Sequence, residues 1–568
     1  MKKFIFMFLL LLSTGKAAAE ESQFSTQYDV LYEVENTGKA SVTQNISITN
    51  KNNDVIATSF SIQLDQTNIH SEQAHEDNET LNVTKKVESG STLIKVFLDN
   101  PAIGKGKKKT FSLKYKTDDI TNMVGKIWNV QIPRAQISED TTKYNVEIRI
   151  PEEFGPEIYI SPTPIIKEQI DQHTHYHFTK NTLEEKGITA SFGEYQLVNF
   201  KLKYQLENPT YLTSRYEIAL PPDIKNYQQV SITSISPKPK SIFLDDDKNI
   251  IAQYKIRSKE DLEIEVVGSA KIFAKKITPE LGGTFDQIPK RLINLYTKEK
   301  LYWETKSSAV ISLVTQLKDP NLSVSQNAHK VYDFITQNLK YNTKAQKQTY
   351  LERHGAEKTL TIDGEYACME FTDTFVATVR AMGIPARELN GYAFTNQPND
   401  TPLSINLKSG DLLHAWSQFY DPKFGWIPVD TTWGNTSKGM DYFTKLDTNH
   451  FVFVIRGKDS EYPLPAGMYR YNDIDKLVDV DFAENINDKK SIFEPRISIK
   501  KVFNFNLFRR ILGQQKYKIT NSGGVVLYNL NKKYLLPTQS QTLYLKKGTK
   551  TINFEDLGGN AIEWGIED

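Results

Sequence analysis

Short stretches in which apolar and polar residues alternate follow one another from residue 23 to about residue 275. The clearest lie at 28–34, 41–48, 110–115 and 144–150, and Asn, Gly and Pro residues separate them. Because successive side chains of a strand point to opposite faces, this period predicts antiparallel sheets with one buried and one solvated face. The first half of the chain is therefore expected to form antiparallel β-sandwich modules.

The length of the chain requires several such units. At roughly 100–200 residues per domain, 568 residues correspond to about three to five domains. The strand pattern predicts a β-sandwich module at 20–117, a β module at 118–199 and a second β-sandwich module at 200–278. Helical periodicity begins only after about Pro279, which predicts an α+β domain at 279–490. Strands return in a small C-terminal β module at 491–568.

The first residues have the pattern of an export signal. Lys2 and Lys3 precede an apolar run at 4–12, and Ala17-Ala18-Ala19 offers small residues at which we place the cleavage, after Ala19. The apolar run is about half of the roughly 20 residues that span a bilayer, so a membrane anchor is disfavoured. We expect signal peptide 1–19 to direct a secreted, periplasmic or cell-surface protein with no transmembrane segment after signal removal.

The charge balance argues against a polyanionic partner. The chain has 70 Lys and Arg against 69 Asp and Glu, so no nucleic acid is expected. Its single cysteine, Cys368, cannot form a disulfide within the chain. Such a thiol is either a small buried hydrophobe or a reactive group, and its neighbours in the sequence decide between the two.

Cys368 is predicted to begin a buried helix. Phe371, Phe375, Val379 and Met382 follow it at spacings of four, four and three residues, and a Gly and a Pro end the pattern. The unpaired N–H groups of a helix start favour a thiolate, but they supply only about 0.3–1 kcal/mol. Lowering a thiol pKa by two units takes about 2.7 kcal/mol, so an activated thiol also needs a neighbouring imidazolium.

A predicted hairpin supplies an imidazole with a carboxylate partner. His414 lies on the first strand and Asp430 at the end of the second, with a Pro/Gly turn between them. If Tyr420 paired with Phe424, His414 would face Asp430 directly. If the pairing register slips by two residues, His414 and Asp430 lie diagonally on the same face. If it shifts by an odd number of residues, they lie on opposite faces.

Several motifs together resemble the core of the transglutaminase-like superfamily of papain-type cysteine enzymes. They are Cys368-Met-Glu-Phe, the string Arg-Ala-Met-Gly-Ile-Pro-Ala-Arg at 380–387, Gly391-Tyr392, His414-Ala-Trp416, and Gly-Trp-Ile-Pro-Val-Asp-Thr at 425–431. The resemblance covers roughly residues 280–480 and is sharpest from about 328 to 434. It implies Cys368 as nucleophile, His414 as general base and acid, and Asp430 as the group that orients the imidazole.

The resemblance implies a thiol enzyme that cleaves or transfers acyl groups at peptide or glutamine-type amide bonds through a thioester, and the signal pattern predicts that it is exported. A protein or peptide is the expected substrate, and no cofactor or metal is expected. Two alternatives stay open: a cysteine peptidase or amidase without amine transfer, and a non-catalytic surface-binding or structural protein. Tyr366-Ala367 precedes the thiol where many relatives have Gly, which leaves the substrate undefined. The oligomeric state is also undefined.

Other conspicuous residues are interpreted as structural. His173, His175 and His177 share one strand face, and they would chelate Zn²⁺ only if a distant ligand joined them. We expect a solvated strand face there. The lysines at 105–109 are predicted to form a charged turn, the aspartates at 245–247 lack the spacing of a calcium loop, and the acids at 473–481 form an acidic surface. Trp416, Trp426 and Trp433 are expected to pack in a core.

Overall fold

The computed structural model describes residues 23–66, 68–88, 90–100, 102–133, 139–183, 187–344, 352–394, 405–407, 409–437, 441–472, 474–483, 490–531 and 533–566. The predicted signal segment and Asp473 therefore lie outside the described residues. Contacts divide the chain into two compact units. The first comprises the described residues of Met1–Asn122, Val130–Glu153 and Pro162–Thr189, and the second those of Met123–Asn129, Phe154–Ser161 and Ala190–Asp568.

The first third of the chain is almost entirely strand. Its elements are β1 (Phe24–Val34), β2 (Ala40–Asn50), β3 (Ser59–Leu64), β4 (Ile69–Glu76), β5 (Glu79–Leu81), β6 (Val83–Glu88), β7 (Ser91–Phe97), β8 (Lys108–Thr117), β9 (Thr121–Val124), β10 (Ile127–Ile132), β11 (Thr141–Pro151), β12 (Glu157–Ser161), β13 (Ile166–Ile170), β14 (His173–Thr179), α1 (Lys180–Leu183) and β15 (Ile188–Phe192).

The middle of the chain begins with strands and then gains helices. Its elements are β16 (Gln196–Glu207), β17 (Ser214–Leu220), β18 (Gln228–Ser236), β19 (Ser241–Leu244), β20 (Ile250–Ile256), β21 (Asp261–Ile272), β22 (Lys275–Lys276), α2 (Lys290–Tyr296), α3 (Ser308–Leu317), α4 (Val324–Asn338), β23 (Lys340–Tyr341), α5 (Gly355–Thr361), β24 (Glu365–Tyr366), α6 (Cys368–Ala381), β25 (Ala386–Ala393), β26 (Ile405–Asn406), β27 (Leu412–Asp421), β28 (Gly425–Val429), α7 (Thr431–Thr436), β29 (Lys445–Leu446), β30 (His450–Arg456) and β31 (Val478–Phe482).

The C-terminal part returns to strands. Its elements are β32 (Ile497–Val502), α8 (Leu507–Ile511), β33 (Gln514–Asn521), β34 (Leu527–Leu530), β35 (Lys533–Leu535), β36 (Ser540–Lys546), β37 (Thr551–Glu555) and β38 (Ala561–Gly565). Short 3-10 turns lie at Glu152–Phe154, Pro279–Leu281, Phe285–Gln287 and Lys490–Phe493. The prediction of a multidomain chain, rich in antiparallel β structure and with an α+β core after its N-terminal β modules, is thus confirmed.

The first unit is built on an eight-stranded sheet in the order β13-β14-β11-β1-β2-β8-β4-β5, beside a three-stranded sheet β3-β7-β6. Burial alternates along β2 as the period-two pattern requires. Two details differ from the sequence-based expectation. β1 pairs with β11 in parallel, and the predicted break near Thr117 falls inside this sheet, because β11 returns from beyond it to pair with β1.

The second unit combines β sheets with the α+β core. One four-stranded sheet has the order β18-β21-β16-β31, so a strand from residues 478–482 completes a sheet that begins at Gln196. The boundary that was predicted at 278 is therefore bridged by strand pairing. Residues beyond 491 contribute most of a separate apolar core, which includes Ile519, Leu527 and Phe554.

The α+β core places helix α6 against the sheet β26-β27-β25-β30, which β28 extends beside β27. Phe371, Phe375, Val379 and Met382 are all buried, as their spacing predicted. Gly383 follows the helix with φ +91°, a conformation that glycine adopts without strain. Among the described residues, no helix combines the length and apolar character needed to cross a membrane.

Gly391 is the point where backbone packing in this sheet is tightest. A Cβ atom at Gly391 would lie 2.0 Å from the carbonyl oxygen of Phe451, in the irregular stretch of the β25–β30 pairing. We expect Gly391→Ala to lower the free energy of unfolding by about 1–3 kcal/mol, because backbone atoms must move to relieve the overlap. Urea denaturation measures this change. The control is Gly565→Ala, whose Cβ would have no heavy atom within 4 Å, and equal stability of the two variants would contradict the prediction.

Candidate active site

The thiol of Cys368 lies at the first residue of helix α6, as its sequence predicted. The residue before it, Ala367, has an extended backbone, and its N–H donates to Oε2 of Glu370 at 3.0 Å. The other oxygen of Glu370 accepts the N–H of His354 at 3.0 Å. Burial raises the pKa of Glu370, although these backbone hydrogen bonds oppose the shift. The two bonds fix the strand-to-helix corner that presents the thiol.

The hairpin brings His414 and Asp430 together, although their strands are not in the register of direct pairing. Tyr420 pairs with Trp426 rather than Phe424, which is the slip of two that keeps the residues on one face. β28 ends at Val429, and Asp430 becomes the N-cap of α7. One carboxylate oxygen accepts the N–H groups of that helix, and the other, Oδ2, lies 2.8 Å from Nε2 of His414.

The second ring nitrogen of His414, Nδ1, does not face the carboxylate of Asp430. Nδ1 makes no hydrogen bond to any described residue, and His414 and Cys368 both line one cavity of about 250 Å³. Burial favours the neutral ring, but the charge and hydrogen bond of Asp430, with smaller contributions from the Cys368 side chain, raise the pKa of His414 to about 9. The same contacts lower the pKa of Asp430 against the effect of its burial. The structure thus brings all three predicted residues into one buried cluster.

A second imidazole, which the sequence analysis did not identify, shares the same carboxylate. Nε2 of His450 lies 3.0 Å from Oδ2 of Asp430, and its Nδ1 lies 2.7 Å from Oδ1 of Asp447. Burial would lower the pKa of His450, but Asp447 and Asp430 raise it to about 9. One local hint of this role was present in the sequence: Asp447 precedes His450 by three residues, at the start of an apolar strand.

The histidine pair is enclosed by buried aromatic rings. The rings of His414 and Trp416 are nearly parallel at 5.9 Å, and Trp433 lies 4.3 Å from the ring of His450. Both tryptophans are buried and neither lines the cavity. Trp426 instead packs edge-on against Tyr296 and beneath Arg387. Trp416 and Trp433 thus pack in the core as predicted and exclude water from the imidazoles, whereas Trp426 is only half-buried and lines a separate cavity.

The cavity beside the thiol is mainly apolar. Its apolar lining consists of Met369, Ile405, Leu407, Leu413, Pro465 and Met468. Two guanidiniums, of Arg353 and Arg456, also line it. Arg353 donates to Asp373 at 2.8 Å and to Glu388 at 2.7 Å, and Arg456 lies 3.4 Å from Glu388. Because buried carboxylates face both cations, this end of the cavity carries little uncompensated charge.

Two clusters in the described residues bring together groups of the kind that hold metals. His414, Asp430 and His450 have ligand atoms within 4.8 Å of one another. A metal needs a deprotonated imidazole nitrogen, whereas both rings have a raised pKa of about 9 and point Nε2 at the carboxylate. These residues therefore suit an ion-paired network better than a metal.

The second cluster lies on β14, where His173, His175 and His177 share one face. Glu147 of β11 supplies the distant group, with Oε1 2.9 Å from Nδ1 of His175. Nε of Arg149 donates to the same oxygen at 2.7 Å. A guanidinium beside the carboxylate repels a cation, so the contacts favour ion pairing over a bound metal. His173 and His177 are half-buried and His175 is buried, so the prediction of a solvated strand face is wrong for His175.

The remaining charged segments have structural roles. Lys105 and Lys107 are exposed in the turn before β8, and Lys109 pairs with Glu76. Asp245 accepts hydrogen bonds from Asn249, and Asp247 accepts the N–H groups of residues 457 and 458. These contacts give the lysines and aspartates structural roles that require no bound ion.

Residues 311–431 match the transglutaminase-like superfamily, and the matched range contains Cys368, His414 and Asp430. The chain therefore carries a transglutaminase-like core within a multidomain, β-rich protein. Members of this superfamily are usually cysteine-based enzymes.

Named relatives share low sequence identity with this chain. The uncharacterized protein YebA of Bacillus subtilis is 23% identical over 312 residues, which is 52% of this chain and 42% of that protein. An uncharacterized protein of Mycobacterium tuberculosis is 26% identical over 121 residues, or 20% of this chain and 34% of its own length. The chain thus spans less than half the length of these relatives.

Solved structures with partial similarity include a candidate cysteine protease from Cytophaga hutchinsonii. It is 15% identical, with a TM-score of 0.32, covering 51% of this chain and 98% of that one. The periplasmic domain of TgpA from Pseudomonas aeruginosa is 15% identical, with a TM-score of 0.24, covering 42% of this chain and 91% of that one. Both scores are low, and the family assignment rests on the match at 311–431.

The shared carboxylate predicts two histidines that stay charged above neutral pH. Their folded-state pKa of about 9 exceeds the ordinary value of about 6.5. The stability that their charged forms contribute is therefore complete below about pH 6.5 and is lost as pH rises through about 9. NMR titration of the imidazole Cε1–H signals should find two of the nine histidines titrating near pH 9.

His414→Gln and His450→Gln assign these two signals, because each variant removes one of them. Asp430→Asn should lower the pKa of both His414 and His450, since the neutral amide no longer stabilises either imidazolium. Titration of both rings near pH 6.5 in the unsubstituted protein would contradict the prediction.

Proposed function

We propose that this protein is an exported transglutaminase-like thiol enzyme that cleaves or transfers acyl groups at peptide or glutamine-type amide bonds. Cys368 is the nucleophile, His414 the general base and acid, and Asp430 the residue that orients the imidazole. One observation carries the proposal: an imidazole bonded to a carboxylate through Nε2 lines the same cavity as a thiol at a helix start. Export is part of the proposal because of the predicted signal at 1–19.

The first chemical step is attack of the Cys368 thiolate on the carbonyl carbon of the amide. The proton held by His414 passes to the leaving nitrogen, the C–N bond breaks, and a thioester remains on the sulfur. His414 then takes a proton from the water or amine that attacks the thioester, the C–S bond breaks, and the thiolate–imidazolium pair is restored. The raised pKa of His414, about 9, supports this role because the ring carries its proton at neutral pH.

The developing oxyanion requires hydrogen-bond donors close to the sulfur. The N–H of Cys368 is one candidate, because the first N–H groups of a helix have no partner within it.

The cavity favours an uncharged, largely apolar acyl donor. Its aliphatic and thioether lining offers contacts to apolar groups, and burial of such surface contributes roughly 25 cal/mol per Å². Glu388 is held ionised between Arg353 and Arg456, which keep its pKa below the ordinary value although burial opposes them. Those guanidiniums are thus already paired and are not free to recognise a second carboxylate.

His450 is proposed as a positioning residue. It contacts the same oxygen of Asp430 as His414 does and is itself held by Asp447. Two imidazoliums compete for one carboxylate oxygen, and their ring centres are 5.9 Å apart. The charge of His450 therefore limits how far Asp430 raises the pKa of His414.

The proposed nucleophile predicts selective modification. A peptide-like electrophile that reacts with thiols should label Cys368, and His414→Ala should slow labelling, because the imidazole no longer stabilises the thiolate. Cys368→Ala should lower amide turnover roughly a thousandfold or more. Mass spectrometry locates the adduct, and amine release measures turnover. His329→Ala is the matched control, since His329 pairs with Asp333 away from the cavity.

One assay of the unsubstituted protein distinguishes acyl transfer from hydrolysis. With a glutamine-containing protein and a labelled primary amine, incorporation of the label indicates acyl transfer, and ammonia or peptide release without incorporation indicates hydrolysis. If the thiol resists labelling and no amide is turned over at any pH while the chain is folded, the enzymatic proposal fails and the non-catalytic alternative stands.

The positioning role of His450 predicts a change in pH dependence. His450→Gln removes a positive charge beside Asp430, so the pKa of His414 and the alkaline limb of the pH–rate profile should move to higher pH. We expect kcat to fall about 10–100-fold, the scale typical of residues that orient a functional group. Complete pH–rate profiles of both proteins measure the two effects.

His329→Gln serves as the control for this variant, because it removes an imidazole that does not touch Asp430. Its profile should match that of the unsubstituted protein. A purely structural role of His450 would lower activity at every pH without moving the alkaline limb, and that result would refute the positioning role.

A further inference from the structure

Six large apolar side chains are exposed together in the segment between β32 and β33, which contains helix α8. We call this group the apolar tip. The side chains are between 56% and 86% exposed, and they are Phe503, Phe505, Leu507, Phe508, Ile511 and Leu512. Helix α8 buries none of its residues. Isolated exposed apolar residues are ordinary, whereas a contiguous group of this size marks a surface that binds something.

The segment that contains the apolar tip carries only basic charges. From residue 495 to residue 554 the chain has twelve Lys and Arg residues and no Asp or Glu, in a protein whose total charges are 70 and 69. This segment holds the strands β32 to β36 and most of β37. Its positive charge is therefore a local property of the C-terminal part and not of the whole chain.

Several of these cations lie directly beside the apolar tip. The guanidinium of Arg510 lies 5.7 Å from the ring centre of Phe503, and that of Arg509 lies 4.1 Å from the ring centre of Tyr544. On the adjoining sheet, exposed Lys500 is the direct cross-strand partner of exposed Lys518. Like charges opposite each other destabilise a sheet, so an anionic partner would relieve a repulsion that the fold maintains.

We propose that the apolar tip docks this protein on a lipid bilayer that carries anionic headgroups. The phenyl and aliphatic side chains enter the boundary between headgroups and acyl chains, and the neighbouring Arg and Lys side chains contact the headgroup phosphates. The exposed apolar residues match the boundary of the acyl chains, and the neighbouring cations, with no acidic residue in the same segment, match the anionic headgroups. The proposal is independent of the thiol chemistry.

The test measures sedimentation of the full chain with lipid vesicles. Vesicles of equal parts phosphatidylcholine and phosphatidylglycerol should bind the protein, and vesicles of phosphatidylcholine alone should bind it at least tenfold more weakly. Each cation near a membrane surface contributes about 1 kcal/mol, equivalent to roughly fivefold in partitioning. Arg510→Gln combined with Lys518→Gln should therefore lower binding to the anionic vesicles about 25-fold.

Substitutions within the apolar tip test insertion separately from charge. The double variant Phe505→Ser and Phe508→Ser should reduce binding at least tenfold while leaving stability unchanged, because both side chains are already exposed. The matched control is Tyr211→Ser with Leu212→Ser, which removes apolar residues that are 85% and 76% exposed elsewhere. The control should bind as the unsubstituted protein does.

Because Cys368 is the single cysteine, a dye can be placed at one site. In a Cys368→Ala background, a polarity-sensitive fluorophore on Phe505→Cys should shift to shorter wavelength with anionic vesicles, and one on Tyr211→Cys should not. Cys368→Ala itself should leave vesicle binding unchanged, which keeps this result separate from that of the enzymatic proposal.

Three outcomes would overturn the docking proposal. The first is absence of binding to anionic vesicles, and the second is binding that the apolar-tip variants do not weaken. The third is self-association of the protein, detected by light scattering and abolished by the Phe505 and Phe508 substitutions, which would assign the surface to a second copy of the chain.

Discussion

The arrangement of the candidate site depends on a single buried carboxylate. Asp430 caps helix α7 with one oxygen and faces His414 and His450 with the other. An isolated charge at such depth would be costly, and here two imidazoliums and a helix start compensate it. Asp447 compensates the second imidazolium in turn. The charges are therefore mutually dependent, and removal of Asp430 would leave the His414 imidazolium buried without a counter-charge.

The surrounding fold holds this network dry and in place. Trp416 and Trp433 cover the imidazoles, and the sheet beneath them is closed by β25 and β30. Asp373 of helix α6, which also carries the thiol, accepts hydrogen bonds from Trp303 and Arg353. Helix α6 thus carries both the thiol and an anchor for the cavity wall, so the position of the sulfur depends on packing between one and two turns of helix away from it.

Sequence reasoning succeeded where the signal was local. The helix that begins at Cys368 was predicted because its apolar spacing and its Gly/Pro ending lie within one segment. The hairpin of His414 was predicted for the same reason, but its register was left open because two even registers satisfy the same alternation. His450 was missed because its role depends on a contact with a residue twenty positions earlier, in another element. The parallel pairing of β1 with β11 was missed because alternation does not specify which strand becomes the neighbour.

Residue patterns along the chain predicted the strand-rich and helical regions, and they indicated the thiol, the imidazole and the carboxylate by their types and spacing, since these signals depend on near neighbours in the sequence. Tertiary structure decided which sheet each strand joins, which nitrogen of His414 faces Asp430, and that a second imidazole shares that carboxylate. It also left the apolar residues of the loop before β33 exposed beside lysines and arginines. These outcomes depend on distances between residues far apart in the chain, which only the packing of the core establishes.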